Sequence, residues 1–70
     1  MPIKLETFVD LKRFIALAEK AEYNVMLTQN SYCVNGKSIM GIMALDLTNV
    51  IMLNCNYKDA ELFKEFMVKE

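Results

Sequence analysis

The apolar residues of this chain change period repeatedly, and that alternation limits the folds open to it. Ile3, Lys4, Leu5 and Glu6 alternate apolar and polar, the repeat of a strand with one face inward. Pro2 suits the start of such a strand. From Thr7 the repeat lengthens. Phe8, Leu11, Ile15 and Ala18 fall at helical spacing, and Phe14, Leu17 and Ala21 widen the stripe. Thr7 with Asp10 forms a capping-box pattern, Asp replacing the usual Glu. A helix is expected from Phe8 to about Glu22. "NVMLTQ" returns to strand character, Asn30 and Ser31 signal a turn, and "YCVNG" reads as the second arm of a hairpin. Asn35 and Gly36 turn the chain again. "SIMGIMAL" is a short helix with Ser38 as its N-cap. "VIMLNC" is an apolar run fitting a strand covered on one face. "YKDAELFKEFMVKE" is a final amphipathic helix, with Asp59 as N-cap and Leu62, Phe63, Phe66 and Met67 on one face.

The element order is therefore β-α-β-β-α-β-α, with no linker or repeat, and residues 1–70 are expected to form a single domain. Amphipathic helices beside an antiparallel hairpin predict an α+β sandwich, helices layered on one face of a sheet. Pattern alone leaves the strand order open, since a ferredoxin-like sheet has almost the same order of elements.

Composition removes several function classes. Apolar residues make up 54% of the chain, which argues for a packed core over disorder. The net charge is −1 and the lysines are dispersed, so no basic patch for nucleic acid is visible. No apolar run approaches a membrane span. "MPIKLETF" lacks the apolar centre of a signal peptide, which points to a cytoplasmic protein. Cys33 and Cys55 fit no zinc spacing and there is no histidine to complete one; both read as reduced, half-buried small residues. No cofactor is implied. "VNGKS" lacks the first glycine that a phosphate loop needs. Asp59 and Glu61 suit a helix N-terminus better than acid–base work.

The stretch "KSIMGIMALDL", Lys37 to Leu47, carries a resemblance. It is similar to the second-helix region of the HPr family, the small phosphocarriers of the bacterial sugar phosphotransferase system. The element order and the "NVML" strand leading into a hairpin agree with that family. The resemblance implies an open-faced sandwich: a four-stranded antiparallel sheet of order 1-4-2-3 with three helices on one face. Family carriers take a phosphoryl group on a histidine at the start of the first helix. These residues contain no histidine. An ungapped correspondence puts Thr7 at that position, with Phe8, Val9 and Asp10 following. A phosphothreonine ester is too stable for reversible transfer, so histidine-dependent carriage is expected to be absent and no enzyme activity is implied.

The same resemblance makes Ser38 a candidate regulatory phosphorylation site, recognised by a dedicated serine kinase. Phosphate there would add about −2 charge beside an apolar surface. Capping alone, worth roughly 1 kcal/mol, also explains a serine here. At ~100° per residue, Ile39 and Ile42 share one helix face while Met40 and Met43 share another. The isoleucines are expected to face the sheet and Met40 the solvent, with Met43 either at the surface or in the core. Gly41 keeps the helix thin enough for close approach. Unbranched thioethers suit a surface that accepts more than one partner. Lys37, Met40, Gly41 and Met43 are therefore the candidate partner-binding residues, and Thr7 is assigned a structural role. The expected protein is a non-catalytic HPr-like adaptor or regulator, a monomer or weak dimer. Its partners would be proteins such as a serine kinase or a transcriptional regulator, not nucleic acid or membrane. The alternative is a structural or oligomerisation module using the same apolar patch.

Overall fold

The computed structural model describes residues 1–68. Strand β1 spans Pro2–Ile3, helix α1 Phe8–Lys20, β2 Met26–Gln29, β3 Tyr32–Asn35, helix α2 Ile39–Met43 and β4 Ile51–Asn54, followed by a 3-10 helix over Ala60–Phe66. The four strands form one antiparallel sheet of order β1-β4-β2-β3. The expected α+β open-faced sandwich is the observed one.

Local chemistry explains where each element begins and ends. The capping box at α1 is formed: Asp10 N–H donates to Thr7 Oγ1 at 3.1 Å, and Thr7 N–H to Asp10 Oδ2 at 3.3 Å. Asn30, at φ 53°, takes the left-handed position of the two-residue turn that sets Gln29 opposite Tyr32. Asn tolerates that conformation better than other non-glycine residues. In β4 the strand repeat is visible directly, with Ile51 and Leu53 buried and Met52 and Asn54 exposed.

The core lies between the sheet and the helices. Ile3, Leu27, Ile51 and Leu53 supply the sheet side, and Leu11, Phe14, Ala18, Ile42, Phe63 and Phe66 the helical side. Phe14 is its centre, 4.9 Å from Phe63 and 5.6 Å from Phe66 between ring centroids. The last element departs from the expected α-helix. It winds as 3-10, with Leu62 N–H donating to the Asp59 carbonyl at 3.0 Å and Met67 N–H to Lys64 at 3.2 Å. A repeat of three residues per turn eclipses Phe63 and Phe66, which lets both rings meet Phe14. Leu62 is only partly buried and Met67 is exposed, so the apolar face is narrower than expected.

Further corrections follow from the same packing. α1 stops at Lys20, two residues short of Glu22, because Ala21 turns extended (φ −65°, ψ 141°). The next two amides find a different acceptor. Glu22 N–H donates to Asp59 Oδ1 at 3.3 Å and Tyr23 N–H to Asp59 Oδ2 at 3.1 Å. Asp59 therefore makes no side-chain cap to its own helix. It is buried, and it ties the end of α1 to the start of the 3-10 helix. Phe8 is not in the buried stripe; it stands in solvent beside Lys12, whose ammonium lies 5.7 Å from the ring centroid. β1 pairs over Pro2–Ile3 only, although Leu5 beyond it is buried. Cys33 is exposed, while Cys55 is half-buried; both are free thiols. Burial, and next the charge of Asp59, push the Cys55 thiol up from its ordinary pKa.

Hydrogen bonds to a charged acceptor contribute about 1.5–3 kcal/mol each, and Asp59 accepts from two consecutive backbone amides just past the end of α1. Asp59→Ala is expected to lower stability by about 2–4 kcal/mol. Urea denaturation followed by circular dichroism measures this; a loss under about 0.5 kcal/mol would contradict the assignment.

Candidate functional site

The start of α2 is fixed by the turn before it. Gly36 N–H donates to the Val25 carbonyl at 2.7 Å, and a Cβ on Gly36 would lie 2.6 Å from Val25 Cγ1. No side chain fits there without displacing a core residue. The Asn35 side chain accepts from Lys37 N–H at 2.8 Å, and the Asn35 carbonyl from Ser38 N–H at 3.0 Å. The chain thus arrives at Ser38 with its backbone held. Ser38 caps α2 as expected, its hydroxyl oxygen accepting from Gly41 N–H at 3.2 Å. The Ser38 side chain remains exposed.

Helix α2 rests on β3 through its glycine. A Cβ at Gly41 would stand 3.2 Å from Val34 Cβ, tighter than ordinary contact. Ile42 is fully buried. Met40 is 82% exposed and Met43 58%, so both methionines face solvent. Ile39 corrects the expected pattern: it is 39% exposed and does not share the burial of Ile42. As the first residue of a five-residue helix it lies beyond the edge of the core, against α1. There Ile39 and Lys37 line a groove of about 380 Å3 with Lys12, Ile15, Ala16 and Glu19. The α1 wall of this groove was not expected from the sequence. Its signal was Ile15, which the helical spacing counts in the buried stripe but the core only half covers.

Thr7 is exposed, and it does not line this groove. Its hydroxyl oxygen is engaged in the capping box. A larger hollow of about 500 Å3 lies between Lys4, Glu6, Asp10, Glu65 and Met67, mixing charges of both signs and including none of the candidate binding residues. Past α2, Gln29 clamps the chain. Its Nε2 donates to the Asp46 carbonyl at 2.8 Å, and Asp46 N–H donates to Gln29 Oε1 at 2.7 Å. The Asp46 carboxylate accepts from Thr48 Oγ1 at 2.6 Å, Thr48 N–H at 3.0 Å and Asn49 Nδ2 at 2.7 Å. The Thr48 bonds above all, then that from Asn49, hold its pKa below the usual carboxylate range. Among the described residues no group of three or more His, Cys, Asp or Glu could hold a metal ion. No described helix is long and apolar enough to cross a membrane.

What remains is an exposed surface on which Ile39, Met40 and Met43 stand beside Lys37. The family model for the phosphotransferase-system HPr component phosphorylation site matches residues 11–63. That is more than half of the chain, and the chain belongs to the HPr family of phosphotransferase-system phosphocarriers. The match begins at Leu11, beyond Thr7. Neither the comparison with curated proteins nor that with solved structures gives a match.

Two measurements probe this geometry. Met40→Asp is expected to keep the thermal midpoint within a few degrees of wild type, since surface changes alter stability by about 0.5 kcal/mol or less; unfolding would place Met40 in the core. Asp46 titrates with a lowered folded-state pKa, so its contribution is present above the unfolded carboxylate value and is lost as pH falls through the folded one. The stability gap between wild type and Asp46→Asn should therefore be widest near neutral pH and close in strong acid. A gap that grows on acidification would refute it.

Proposed function

We propose that this HPr-family protein acts by binding protein partners through the surface around α2, and carries no phosphoryl group on histidine. The exposure of Met40 and Met43 on a helix anchored by Ile42 supports this reading most directly. A family carrier needs an acceptor imidazole, and none of these residues is histidine. Thr7, at the corresponding position by the ungapped correspondence, has its hydroxyl oxygen occupied as a helix cap. The protein is thus a regulatory or adaptor member, working in the cytoplasm in the phosphotransferase system or carbon catabolite control.

Binding is assigned to Lys37, Met40, Gly41 and Met43. The methionines supply adaptable apolar contact, Lys37 supplies charge, and Gly41 keeps the helix seated against β3. Ser38 is the proposed switch. Its exposed side chain is open to a serine kinase, and a phosphate there would put about −2 charge between Lys37 and the methionines. A transcriptional regulator or the kinase itself is the kind of partner that fits. The exposed methionines also suit the alternative, a structural or oligomerisation module without a phosphotransferase role. A dimer that persists at all accessible concentrations and is lost on Met40→Asp/Met43→Asp would favour it.

Incubation with a family-type serine kinase and ATP is expected to add one phosphate, absent from Ser38→Ala by intact-mass measurement. Incubation with the general phosphotransferase enzyme and labelled phosphoenolpyruvate is expected to leave the protein unlabelled. No mass shift in the first experiment would remove Ser38 as the switch. Stoichiometric, acid-labile label in the second would restore a carrier function.

A further inference from the structure

The two edges of the sheet are treated differently. The β1 edge is closed. Pro2 has no N–H to offer, its carbonyl accepts from Val68 N–H at 3.0 Å, Ile3 bridges to Met67, and Lys4 N–H donates to the Phe66 carbonyl at 3.0 Å. The β3 edge has no such cover.

Its hydrogen-bonding phase follows from the pairing with β2. Gly36 N–H donates to the Val25 carbonyl at 2.7 Å, so that pair is a bonded position of the ladder. Antiparallel bonding alternates, which makes Leu27–Val34 and Gln29–Tyr32 the other bonded pairs. The backbone groups of Cys33 and Asn35 therefore point away from β2, over the edge. The Asn35 carbonyl is taken by Ser38 N–H at 3.0 Å. The N–H and carbonyl of Cys33 and the N–H of Asn35 have no partner among the described residues. Proteins usually blunt such an edge with charge, proline or a bulge. Residues 28–36 contain no charged residue and no proline, and the β2–β3 register runs from Met26↔Asn35 to Gln29↔Tyr32 without a bulge. Tyr32 is 57% exposed and Cys33 is exposed beside it.

We propose that the β3 edge pairs with a second copy of this chain, antiparallel, about a two-fold axis at Cys33. Cys33 offers a donor and an acceptor from the same residue, which is what a two-fold antiparallel pair centred on a bonded position requires. It exchanges both bonds with its counterpart, and Asn35 N–H meets the Ser31 carbonyl of the second copy. Tyr32 then lies opposite Val34 of the second copy on the helical side. The charge distribution selects the same occupant. A charge-free segment meets itself without like-charge repulsion, whereas α1 and the 3-10 helix carry lysines and acids outward. The paired strands are short, so association depends on concentration. This pairing uses the backbone of β3 and not the side chains of Met40 and Met43, and it stands without the adaptor reading.

Sedimentation velocity over a concentration series tests it, with wild type beside Cys33→Pro and Cys33→Lys. The N–H that proline removes faces away from β2, the place where an edge strand accepts proline. Circular dichroism establishes that each variant is folded, and Cys33→Lys serves if proline disturbs the strand. Wild type is expected to show a dimer fraction that rises with concentration, and the variants an association constant lower by about tenfold or more. Amide exchange at Cys33 and Asn35 should slow in the dimer. Wild type that stays monomeric throughout overturns the proposal. So does a dimer untouched by both Cys33 variants and abolished by Met40→Asp, which would place the contact on the helical surface.

Discussion

Everything else in this small structure leans on Phe14. Its ring stands against Phe63 and Phe66, so one side chain joins the first helix to the last. Truncating a buried aromatic typically costs about 3–5 kcal/mol, a large share of the stability a domain of this size possesses. The 3-10 winding of Ala60–Phe66 makes sense only in this light. Its poorer hydrogen bonds are tolerated because the tighter repeat delivers both rings to one place. The ion pair between Arg13 and Glu65, at 2.7 Å, spans the same two helices but is largely exposed and contributes little.

The fold was legible in the sequence wherever a local rule was also the global one. The Thr7–Asp10 box begins a helix in isolation and in the protein alike. The Asn30–Ser31 turn and the alternation of Ile51 to Asn54 are of the same kind. Where the sequence misled, a distant partner had outbid a local preference. Asp59 looked like a cap, yet its carboxylate serves amides 36 and 37 residues earlier in the chain. Phe8 satisfied the helical period but lay past the end of the core. Of the candidate site, the burial of Ile42 and the exposure of Met40 followed from helical spacing. The exposure of Ile39 did not, because a helix of five residues has ends and almost no middle.

Family membership and missing chemistry pull in different directions here. The match over residues 11–63 places the chain among phosphocarriers, while its residues include no imidazole to carry a phosphoryl group. The surface around α2 does not depend on that imidazole. Its parts are a glycine seated against the Val34 side chain, a buried isoleucine and exposed thioethers. A fold can shed one chemical group and keep a recognition face intact, because the two are built by different residues.

Gly36 adds a last consequence. Its backbone lies against Val25, a side chain wholly inside the core. The surface serine two residues later is therefore located by an interior contact and not by the slack of a loop. Any partner reading Ser38 reads, at one remove, the packing of β2. Evolution could retune that surface from within, by altering Val25 and the residues around it, without changing a single atom that a partner touches.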